Sequence, residues 1–487
     1  MIRDWIEQAA ACQGSAVYLA EARGSGTLSY AGLRAAAGVW ERRLDDAGLP
    51  PGTPIAVRHP EPLEYATALL AIVAAGRVAV PLDPGAPPAE AARVLAVARP
   101  AATVTNGPFG LDTPLIAGGT PAAGGFRGVA PPGKQSSERD CGDCGIFLCT
   151  SGTTGTPKGI LLRDEQLAHT AASVVSAHRL TRADRGYCSL PLFHVNAEVV
   201  GLLATLRAGA YLAVDRKFSR RGFWEMIAEQ RITWINAVPA IISILAMNPP
   251  AARPETVRFA RSASAPLPPS ALERFEGAVG VPVIETYGMT EAASMITANP
   301  LDGPRKPGSA GRPAGTEVRV ETPDGAAAPG EVGRVRIRGG GVIRGYASGG
   351  RPGVIDADGW LDTGDLGYLD SGGYLFLVGR SDDVINRGGE KIYPREIEEI
   401  LLAQPGVRAA AVTGAADEVL GERPVACVVP DAGWPAGDVE ALLRKACAAE
   451  LPRHKQPSEY RLVAELPLGS TGKISRRALK DLVAAAR

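Results

Sequence analysis

Residues 150–159 combine small, hydroxyl-bearing and basic side chains in one stretch. They include three glycines, four threonines, a serine, a proline and a lysine. The stretch follows an apolar run, residues 145–149, that predicts a buried strand. Glycines let a backbone approach a ligand closely, successive amides in such a turn form a concave anion site, and Lys158 adds a positive charge. The spacing is not that of the P-loop, but the composition predicts a polyphosphate-binding loop after a strand.

Short apolar strands alternate with helical segments on both sides of this loop. Before it, strands are predicted over residues 54–58, 78–82 and 102–104, with helices over 63–75 and 89–98. After it, helices are predicted over residues 165–177, 198–206 and 271–277. This order predicts an α/β fold, a large N-terminal domain of mostly parallel sheets with covering helices. Short alternating strands between residues 312 and 346 add a small antiparallel β-unit.

The pattern changes again near Asp382. Pro394 is well placed as a first helical residue, and Ile397, Ile400 and Leu401 then form one apolar face. The last 106 residues, 382–487, are long enough to bury a small core of their own. We therefore predict two domains, a large one over residues 1–381 and a small α+β one over residues 382–487.

Charge and hydropathy exclude several classes of protein. The 487 residues carry 52 basic and 52 acidic side chains, so the net charge is zero and predicts neither a nucleic-acid-binding nor an acidic-membrane-binding surface. The first residues lack the apolar segment of a signal peptide. The longest apolar region, residues 66–76, is too short to span a bilayer. We expect a soluble, cytoplasmic protein with no membrane insertion.

Cysteine usage gives a weaker indication. Seven cysteines are scattered along the chain, and Cys141 and Cys144 form the single closely spaced pair. A second pair or a histidine cluster that would complete a zinc site is missing from the sequence. The odd count argues against a disulfide framework. A redox or metal role for the pair stays open.

Three further motifs carry polar residues suited to a nucleotide. Residues 285–291, Glu-Thr-Tyr-Gly-Met-Thr-Glu, follow a predicted strand, at the edge where open α/β sheets bind ligands. Asp365 lies in a Thr-Gly-Asp turn and is suited to accept two ribose hydroxyls. Lys473 lies in a glycine-rich turn near the end of the chain. Each motif alone is a weak signal.

Together, and in this order, the motifs resemble those of the adenylate-forming superfamily, which includes acyl-CoA synthetases, peptide-synthetase adenylation domains and beetle luciferases. The resemblance covers nearly the whole chain. It implies a large N-terminal domain that binds ATP and an acid, and a small mobile C-terminal domain that rotates between two half-reactions. Asp382 would be the hinge, and Lys473 would bridge the substrate carboxylate and the α-phosphate.

The resemblance also implies a nucleotide and magnesium site. Tyr287 would stack on adenine, Thr290 would touch the α-phosphate, and Glu291 would help to hold Mg²⁺. Asp365 would bind the ribose hydroxyls, with Arg380 nearby. The residues implied to contact ATP are Thr150, Ser151, Gly152, Thr153, Thr154, Gly155, Lys158, Ser264, Ala265, Pro266, Glu285, Thr286, Tyr287, Gly288, Met289, Asp365 and Arg380.

A narrower resemblance points to stand-alone acyl-CoA synthetases, whose cofactors and substrates are ATP, Mg²⁺, CoA and a carboxylic acid. Arg387, Gly388 and Gly389 look like the stretch that lines the pantetheine tunnel of those enzymes. Residues 218–245, 261–264 and 299–301 look similar to the oxalyl-CoA and malonyl-CoA synthetase branch. The implied reaction forms an acyl-AMP, which CoA then attacks.

The acid pocket is expected at His194, Trp234, Val238, Ser264, Gly288 and Met295. His194 is either a packed histidine or a residue that lines or gates this pocket, and it is included among the catalytic candidates with Thr290, Glu291 and Lys473. Asn196 and Ala293–Ser294 depart from the oxalyl-CoA branch, which tends to place histidine at these points. Loss of such donors leaves a second carboxylate poorly paired. The sequence therefore predicts a monocarboxylic acid with a largely apolar body.

Two alternatives remain open at this point. An adenylation-only enzyme would pass its acyl-AMP to an acyl carrier protein or another partner instead of CoA. A catalytically silent nucleotide-binding module would need neither Glu291 nor Lys473.

Overall fold

The computed structural model describes residues 1–105, 144–150, 158–350, 352–431, 433–468 and 474–485. Within these residues the chain forms four sheets. The α-helices that it describes are α1 (Ile2–Gln13), α2 (Tyr30–Asp46), α3 (Pro62–Ala74), α4 (Pro88–Ala98), α5 (Asp164–His178), α6 (Ala204–Ala208), α7 (Phe223–Glu229), α8 (Pro239–Met247), α9 (Pro269–Val279), α10 (Pro394–Leu402), α11 (Ala436–Glu450) and α12 (Arg476–Ala484).

A five-stranded sheet leads to the predicted phosphate loop. Its strands are β3 (Pro54–Val57), β4 (Val78–Pro81), β5 (Ala102–Val104), β6 (Gly145–Thr150) and β7 (Lys158–Arg163), in the order β5-β3-β4-β6-β7. The pairs among β3, β4, β5 and β6 are parallel, whereas β6 and β7 pair antiparallel. The loop thus connects two neighbouring strands, and Lys158 begins the second of them.

A nine-stranded sheet forms the centre of the N-terminal part. Its strands are β1 (Val17–Glu21), β2 (Thr27–Ser29), β8 (Arg185–Cys188), β9 (Tyr211–Val214), β10 (Trp234–Ala237), β11 (Phe259–Ser262), β12 (Val283–Met289), β13 (Ser294–Ala298) and β14 (Arg312–Pro313). The order is β14-β13-β12-β11-β10-β8-β9-β1-β2, and the six inner strands from β12 to β1 are parallel. Strands β9, β10 and β11 are buried along their whole length, as expected where helices cover both faces. The predicted α/β class is confirmed.

Two smaller antiparallel-rich sheets follow. The first contains β15 (Glu317–Thr322), β16 (Gly325–Ala326), β17 (Gly333–Arg338), β18 (Leu361–Leu369) and β19 (Leu375–Arg380). The second contains β20 (Ile385–Arg387), β21 (Glu390–Ile392), β22 (Val407–Asp417), β23 (Gly421–Pro430) and β24 (Glu459–Leu462). The boundary predicted at Asp382 falls between these sheets, in a single 3-10 turn, Ser381–Asp383; it stays a prediction.

The predicted helix over residues 198–206 has an unexpected form. Asn196–Leu203 is a π-helix, and it continues directly into α6. All eight residues of the π-helix are buried, and Tyr18 Oη donates to Leu202 O at 2.8 Å. Wide turns of this kind are frequent at functional sites, and this one begins two residues after His194.

Gly311 joins the nine-stranded sheet to the small sheet of β15–β19. It forms a bridge with Leu375, whose amide donates to Gly311 O at 2.9 Å. A Cβ on Gly311 would lie 2.0 Å from the carbonyl carbon of Ala298, and φ is +90°. Both the space and the backbone conformation therefore require glycine here.

Gly308 provides a matched control for this requirement. Its φ is +78°, but a Cβ there would meet nothing within 4 Å. We predict that Gly308→Ala lowers the free energy of unfolding by about 1–2 kcal/mol, the cost of a left-handed alanine. Gly311→Ala should lower it by about 3 kcal/mol or more, because backbone atoms must also move. Chemical denaturation of the two variants checks this, and equal losses would contradict the assigned clash.

Candidate active site

The parallel strands of the large sheet bring several predicted site residues to one edge. His194, Val238, Ser264 and Thr290 follow the carboxyl ends of β8, β10, β11 and β12, respectively. These four strands are neighbours in the order β12-β11-β10-β8. Ligands of open α/β sheets bind at this edge, so the sequence motifs converge on one crevice.

Tyr287, Asp365 and Arg380 form a hydrogen-bonded cluster beside this edge. Tyr287 Oη donates to Asp365 Oδ2 at 2.5 Å, and Arg380 Nη1 donates to Asp365 Oδ1 at 3.0 Å. Arg380 Nη1 also donates to Thr363 O at 3.2 Å. Burial raises the pKa of Tyr287 well above its usual range, so the phenol remains a donor. The cluster presents a carboxylate, held in place by a cation, next to an aromatic ring.

Local backbone geometry places that carboxylate. Gly364 has a φ of +73°, and the amide of Asp365 donates to Thr363 Oγ1 at 3.0 Å. Thr363 Oγ1 in turn donates to Val335 O at 2.8 Å, which fixes the turn on β17. The Thr-Gly-Asp sequence therefore folds this way because glycine alone adopts that φ at little cost and the threonine hydroxyl bonds to the neighbouring strand.

Lys158, Tyr346 and Glu291 form a second cluster. Tyr346 Oη donates to Glu291 Oε1 at 2.9 Å, and Lys158 Nζ lies 5.3 Å from the centre of the Tyr346 ring. The backbone of Gly159 pairs with Ala347 and Ser348. Glu291 is 8% exposed. The end of the predicted phosphate loop is thus brought next to the carboxylate predicted to hold magnesium, whereas Ser151, Gly152, Thr153, Thr154 and Gly155 lie outside the described residues.

The donor set around Glu291 fits Mg²⁺. Mg²⁺ is typically held by one or two carboxylates together with substrate phosphates and water, and not by a cage of protein ligands. Within the described ranges, no group of three or more acidic, histidine or cysteine side chains could hold a metal ion. A single carboxylate, linked through Tyr346 to a nearby lysine, fits an ion that arrives with a polyphosphate.

Gly288 has a packing role in addition to its predicted contacts. A β-bulge between Tyr287 and Gly288 interrupts the pairing of β12 with β13, and a Cβ on Gly288 would lie 1.5 Å from Ser294 O. Ala293 and Ser294 have φ values of +50° and +97°, and Ser264 has +74°. Strained residues of this kind gather at active sites, and these lie on both sides of Tyr287.

The remaining predicted residues of β12 and β11 divide into two groups. Ser264, Ala265 and Pro266 are exposed at the edge, as an adenine pocket requires. Thr286 instead donates through its hydroxyl to Ser262 O at 3.3 Å. Met289 is the last residue of β12 and is partly buried against the core.

Glu285 faces the C-terminal part of the chain. Burial raises its pKa to about 7, whereas the charge of Arg395 and a hydrogen bond from the Gly308 amide act in the opposite direction. Arg395 lies on α10 and donates through Nη1 to Leu377 O at 2.7 Å. Glu285 thus pairs in register with Ser262, the last residue of β11, and lies within the field of Arg395 from the C-terminal part.

The expected acid-pocket residues do not all lie together. His194 and Val238 lie at the carboxyl edge, and Met295 is buried on β13 opposite Gly288. Trp234, by contrast, is the first residue of β10, at the opposite end of the strand from Val238. Its ring stacks on Phe259, 6.1 Å between centres, and is fully buried. The structure therefore places Trp234 in the core and not in the pocket.

A buried polar network beneath this pocket was not predicted. Arg261 Nη1 donates to Asn196 Oδ1 at 2.9 Å and to Asn236 Oδ1 at 3.0 Å. Asn236 Nδ2 donates to Asn196 Oδ1 at 3.2 Å, and Asn196 Nδ2 donates to Ser264 Oγ at 3.3 Å. An arginine and an asparagine inside the apolar strands β11 and β10 are the sequence signal that could have revealed it.

Residues predicted to meet CoA lie in the C-terminal part. Gly388 and Gly389, with φ values of +60° and +93°, form the two-residue turn between β20 and β21. Arg387 Nη1 donates to His454 O at 2.7 Å. A Cβ on Gly389 would meet nothing within 4 Å, whereas a Cβ on Gly388 would lie 3.3 Å from Leu420 Cδ2, so the turn is open at Gly389. Lys473 lies outside the described residues, as does Cys141, and the Cys144 side chain is buried.

Comparison with known proteins identifies the family. Residues 6–347 match the family described as AMP-binding enzyme, and residues 396–473 match its C-terminal domain. The chain belongs to the AMP-binding enzyme family. It is 39% identical over 484 residues to a sulfoacetate–CoA ligase of Cupriavidus necator, covering 94% of this chain and 93% of that protein. It is 35% identical over 471 residues to an oxalate–CoA ligase of Arabidopsis thaliana, covering 90% and 89%.

Solved structures of this family have the same fold. The o-succinylbenzoate CoA synthetase of Bacillus subtilis in complex with its acyl-adenylate superposes with a TM-score of 0.83 at 28% identity, covering 98% of each chain. ATP-bound MatB of Rhodopseudomonas palustris superposes with a TM-score of 0.85 at 27% identity, covering 99% of each. The predicted superfamily, fold and enzyme class, an acid–thiol ligase of the AMP-forming type, are confirmed. No helix in the described part of the AMP-binding enzyme is long and apolar enough to cross a membrane.

The pKa of Glu285 predicts a pH dependence of stability. Its folded value of about 7 lies above the usual 4.5, so between these pH values the native state binds more protons than the unfolded state. The free energy of unfolding should therefore fall as the pH rises through this window. Glu285→Gln lacks this titrating group, so its free energy of unfolding should not fall in this window. The difference in the free energy of unfolding, variant minus wild type, should therefore be about 1–3 kcal/mol larger at pH 8 than at pH 4.5.

Denaturation curves at pH 4.5 and pH 8 for wild type and Glu285→Gln test this expectation. Arg395, Glu276 and Glu399 are the charged groups that act on Glu285, and they remain in both proteins. Glu273→Gln, an exposed position on α9, makes the same change as a control. An identical pH slope in wild type and Glu285→Gln would refute the assignment.

Proposed function

We propose that this chain activates a carboxylic acid with ATP and transfers the acyl group to CoA, with the described clusters in defined roles. In the first step a carboxylate oxygen of the acid attacks the α-phosphorus, and the bond to pyrophosphate breaks. In the second step the CoA sulfur attacks the acyl carbon, and the bond to AMP breaks. The observation that supports this assignment is the pair of clusters that flank the end of β12, one around Asp365 and one around Glu291.

The Asp365 cluster suits the nucleoside. Asp365 Oδ1 and Oδ2 are held by Arg380 and Tyr287, and a carboxylate has further lone pairs for two ribose hydroxyls. The Tyr287 ring beside it offers a face for adenine. The exposed segment Ser264–Ala265–Pro266 at the end of β11 would bound the base on the sheet edge.

The Glu291 cluster suits the phosphates. The attack brings a carboxylate and a polyphosphate together, so catalysis depends mainly on positioning and charge neutralisation. Lys158 would hold the phosphate chain, and Glu291, whose position is held by Tyr346 Oη at 2.9 Å, would bind Mg²⁺. When bound, Mg²⁺ neutralises negative charge that develops on the phosphate oxygens. Thr290 would contact the α-phosphate, and Lys473 of the small domain would complete the site.

The small domain would supply the second half-reaction. The turn is open at Gly389 in this conformation, and the proposed rotation about Asp382 would bring it to the acyl-AMP. Arg387, Gly388 and Gly389 would then border the thiol channel. The cytoplasmic location expected from the sequence stays a prediction.

A coupled assay tests the function. Purified protein, ATP, Mg²⁺ and a panel of carboxylic acids should release pyrophosphate in an acid-dependent manner, and addition of CoA should yield a thioester and AMP. Lys473→Ala should slow pyrophosphate release by about a hundredfold or more, because a preorganised charge is removed from a developing anion. Pyrophosphate release without any thioester would instead indicate an adenylation-only enzyme that serves a carrier protein. No acid-dependent release at all would refute the proposal.

Asp365→Asn tests the nucleoside assignment separately. The variant keeps the shape of the side chain but removes the charged acceptor, so the KM for ATP should rise about tenfold or more, while the KM for the acid changes little. Asp324→Asn, exposed in the turn between β15 and β16, removes a charge elsewhere and should leave both constants unchanged. An ATP KM equal to that of wild type would exclude Asp365 from the site.

A further inference from the structure

The amide group of Asn196 has a fixed orientation. Its Oδ1 atom accepts two hydrogen bonds, from Arg261 Nη1 at 2.9 Å and from Asn236 Nδ2 at 3.2 Å. An amide oxygen turned toward two donors leaves the NH₂ group directed away from them. That NH₂ group lies 3.3 Å from Ser264 Oγ, at the exposed edge of the crevice. One of its two hydrogens bonds to Ser264, and the other has no acceptor among the described residues.

Arg261 is an unusual residue at this position. It is 1% exposed, and its Nε atom has no hydrogen-bond partner among the described residues. The described part of the chain also contains no carboxylate in an ion pair with it, although buried guanidinium groups are normally paired. Desolvation by burial lowers its pKa to about 9, so it still carries a positive charge at neutral pH.

The surroundings add a second unsatisfied group. The hydroxyl of Ser262, the last residue of β11, is 2% exposed and has no partner among the described residues. Asn196 and Arg261 thus form a buried donor-rich wall under Ser264, with a positive charge that has no anion among the described residues. Ser262, the next residue of β11, directs its hydroxyl to the other face of the sheet. Unsatisfied buried groups are costly unless something completes them.

We propose that the acid substrate carries a second anionic oxygen group, a carboxylate or a sulfonate, and that the Asn196 amide donates to it within the field of Arg261. This inference rests on the proposed acyl-CoA ligase function and specifies the substrate class of the same site. Arg261 acts as a positioning residue, because it orients the Asn196 amide and supplies charge from behind it. The substrate is therefore a dianionic acid.

This assignment replaces the expectation of a monocarboxylic acid with an apolar body. That expectation rests on the absence of histidine at Asn196 and at Ala293–Ser294, interpreted as the loss of donors. The structure shows that Asn196 retains a donor and that Arg261, two strands from β8 in the sheet, supports it. The proposal is consistent with the substrates named for two relatives, sulfoacetate and oxalate.

The test compares acids that differ at the distal group. Pyrophosphate release is measured with sulfoacetate, oxalate and butanoate, and kcat/KM is determined for each in wild type, Asn196→Leu and Arg261→Met. Wild type should prefer at least one of the two dianionic acids to butanoate by about tenfold or more. Asn196→Leu should lower kcat/KM for that acid by about ten- to a hundredfold, with butanoate unchanged or improved. Arg261→Met should shift the ratio in the same direction.

Two controls separate a specific effect from a general defect. The KM for ATP should stay within about threefold of wild type in both variants, which shows that they are folded. Asn248→Leu makes the same chemical change at the far end of α8 and should leave the acid preference unchanged. Equal losses for all three acids in Asn196→Leu would assign this residue a structural role and overturn the proposal.

The possible failures are distinguishable. Wild type that activates butanoate as well as, or better than, both dianionic acids overturns this inference and leaves the ligase function intact. Wild type that releases pyrophosphate with no acid of the wider panel overturns the ligase function itself. A preference for a dianionic acid that disappears in Asn196→Leu supports both.

Discussion

The hydrogen bond from Tyr287 to Asp365 joins the large parallel sheet to the small antiparallel sheet, and the nucleotide side of the site depends on it. Tyr287 lies near the end of β12, whereas Asp365 lies on β18. The bridge between Gly311 and Leu375 holds the same two sheets together. Relative displacement of the sheets by even 1 Å or so would separate the aromatic face from the carboxylate, and losses of positioning on this scale have large effects on rate.

The bulge at Gly288 explains why both clusters can lie at one strand end. It interrupts the regular register of β12 and β13 after Tyr287. The chain then leaves the sheet through Thr290–Ala292, a single 3-10 turn that places Glu291 against Tyr346. Bulges commonly redirect side chains near active sites. Here the redirection lets one strand contribute the aromatic ring of one cluster and, four residues later, the carboxylate of the other.

Much of this arrangement could be predicted from the sequence, because short motifs of glycine, hydroxyl and acidic residues require particular turns. The Thr-Gly-Asp turn and the edge of β12 are local consequences of such residue types. The hydrogen bond from Arg261 to Asn196, at the start of the π-helix, joins residues 65 positions apart in the sequence. Strand periodicity does not predict contacts between such distant segments. Trp234 is a second example of what the sequence could not predict. The sequence places it on a strand but does not say which end of that strand faces the ligand.

Separate cores are compatible with the proposed rotation of the C-terminal domain. Among the described residues, the apolar clusters that contain Ile397 and Leu479 include only residues beyond Asp382, and the large cluster only residues before it. Described contacts across the boundary include the bond from Arg395 to Leu377 O and the charge of Arg395 near Glu285. Polar contacts of this kind can be exchanged for water at modest cost, so interfaces between such domains permit relative motion.

Arg476, which begins α12, pairs with Glu398 at 2.8 Å and approaches Asp383 at 3.6 Å. Helix α12 is thereby tied to the residues beside the predicted hinge, so the proposed rotation at Asp382 would carry α12 together with α10.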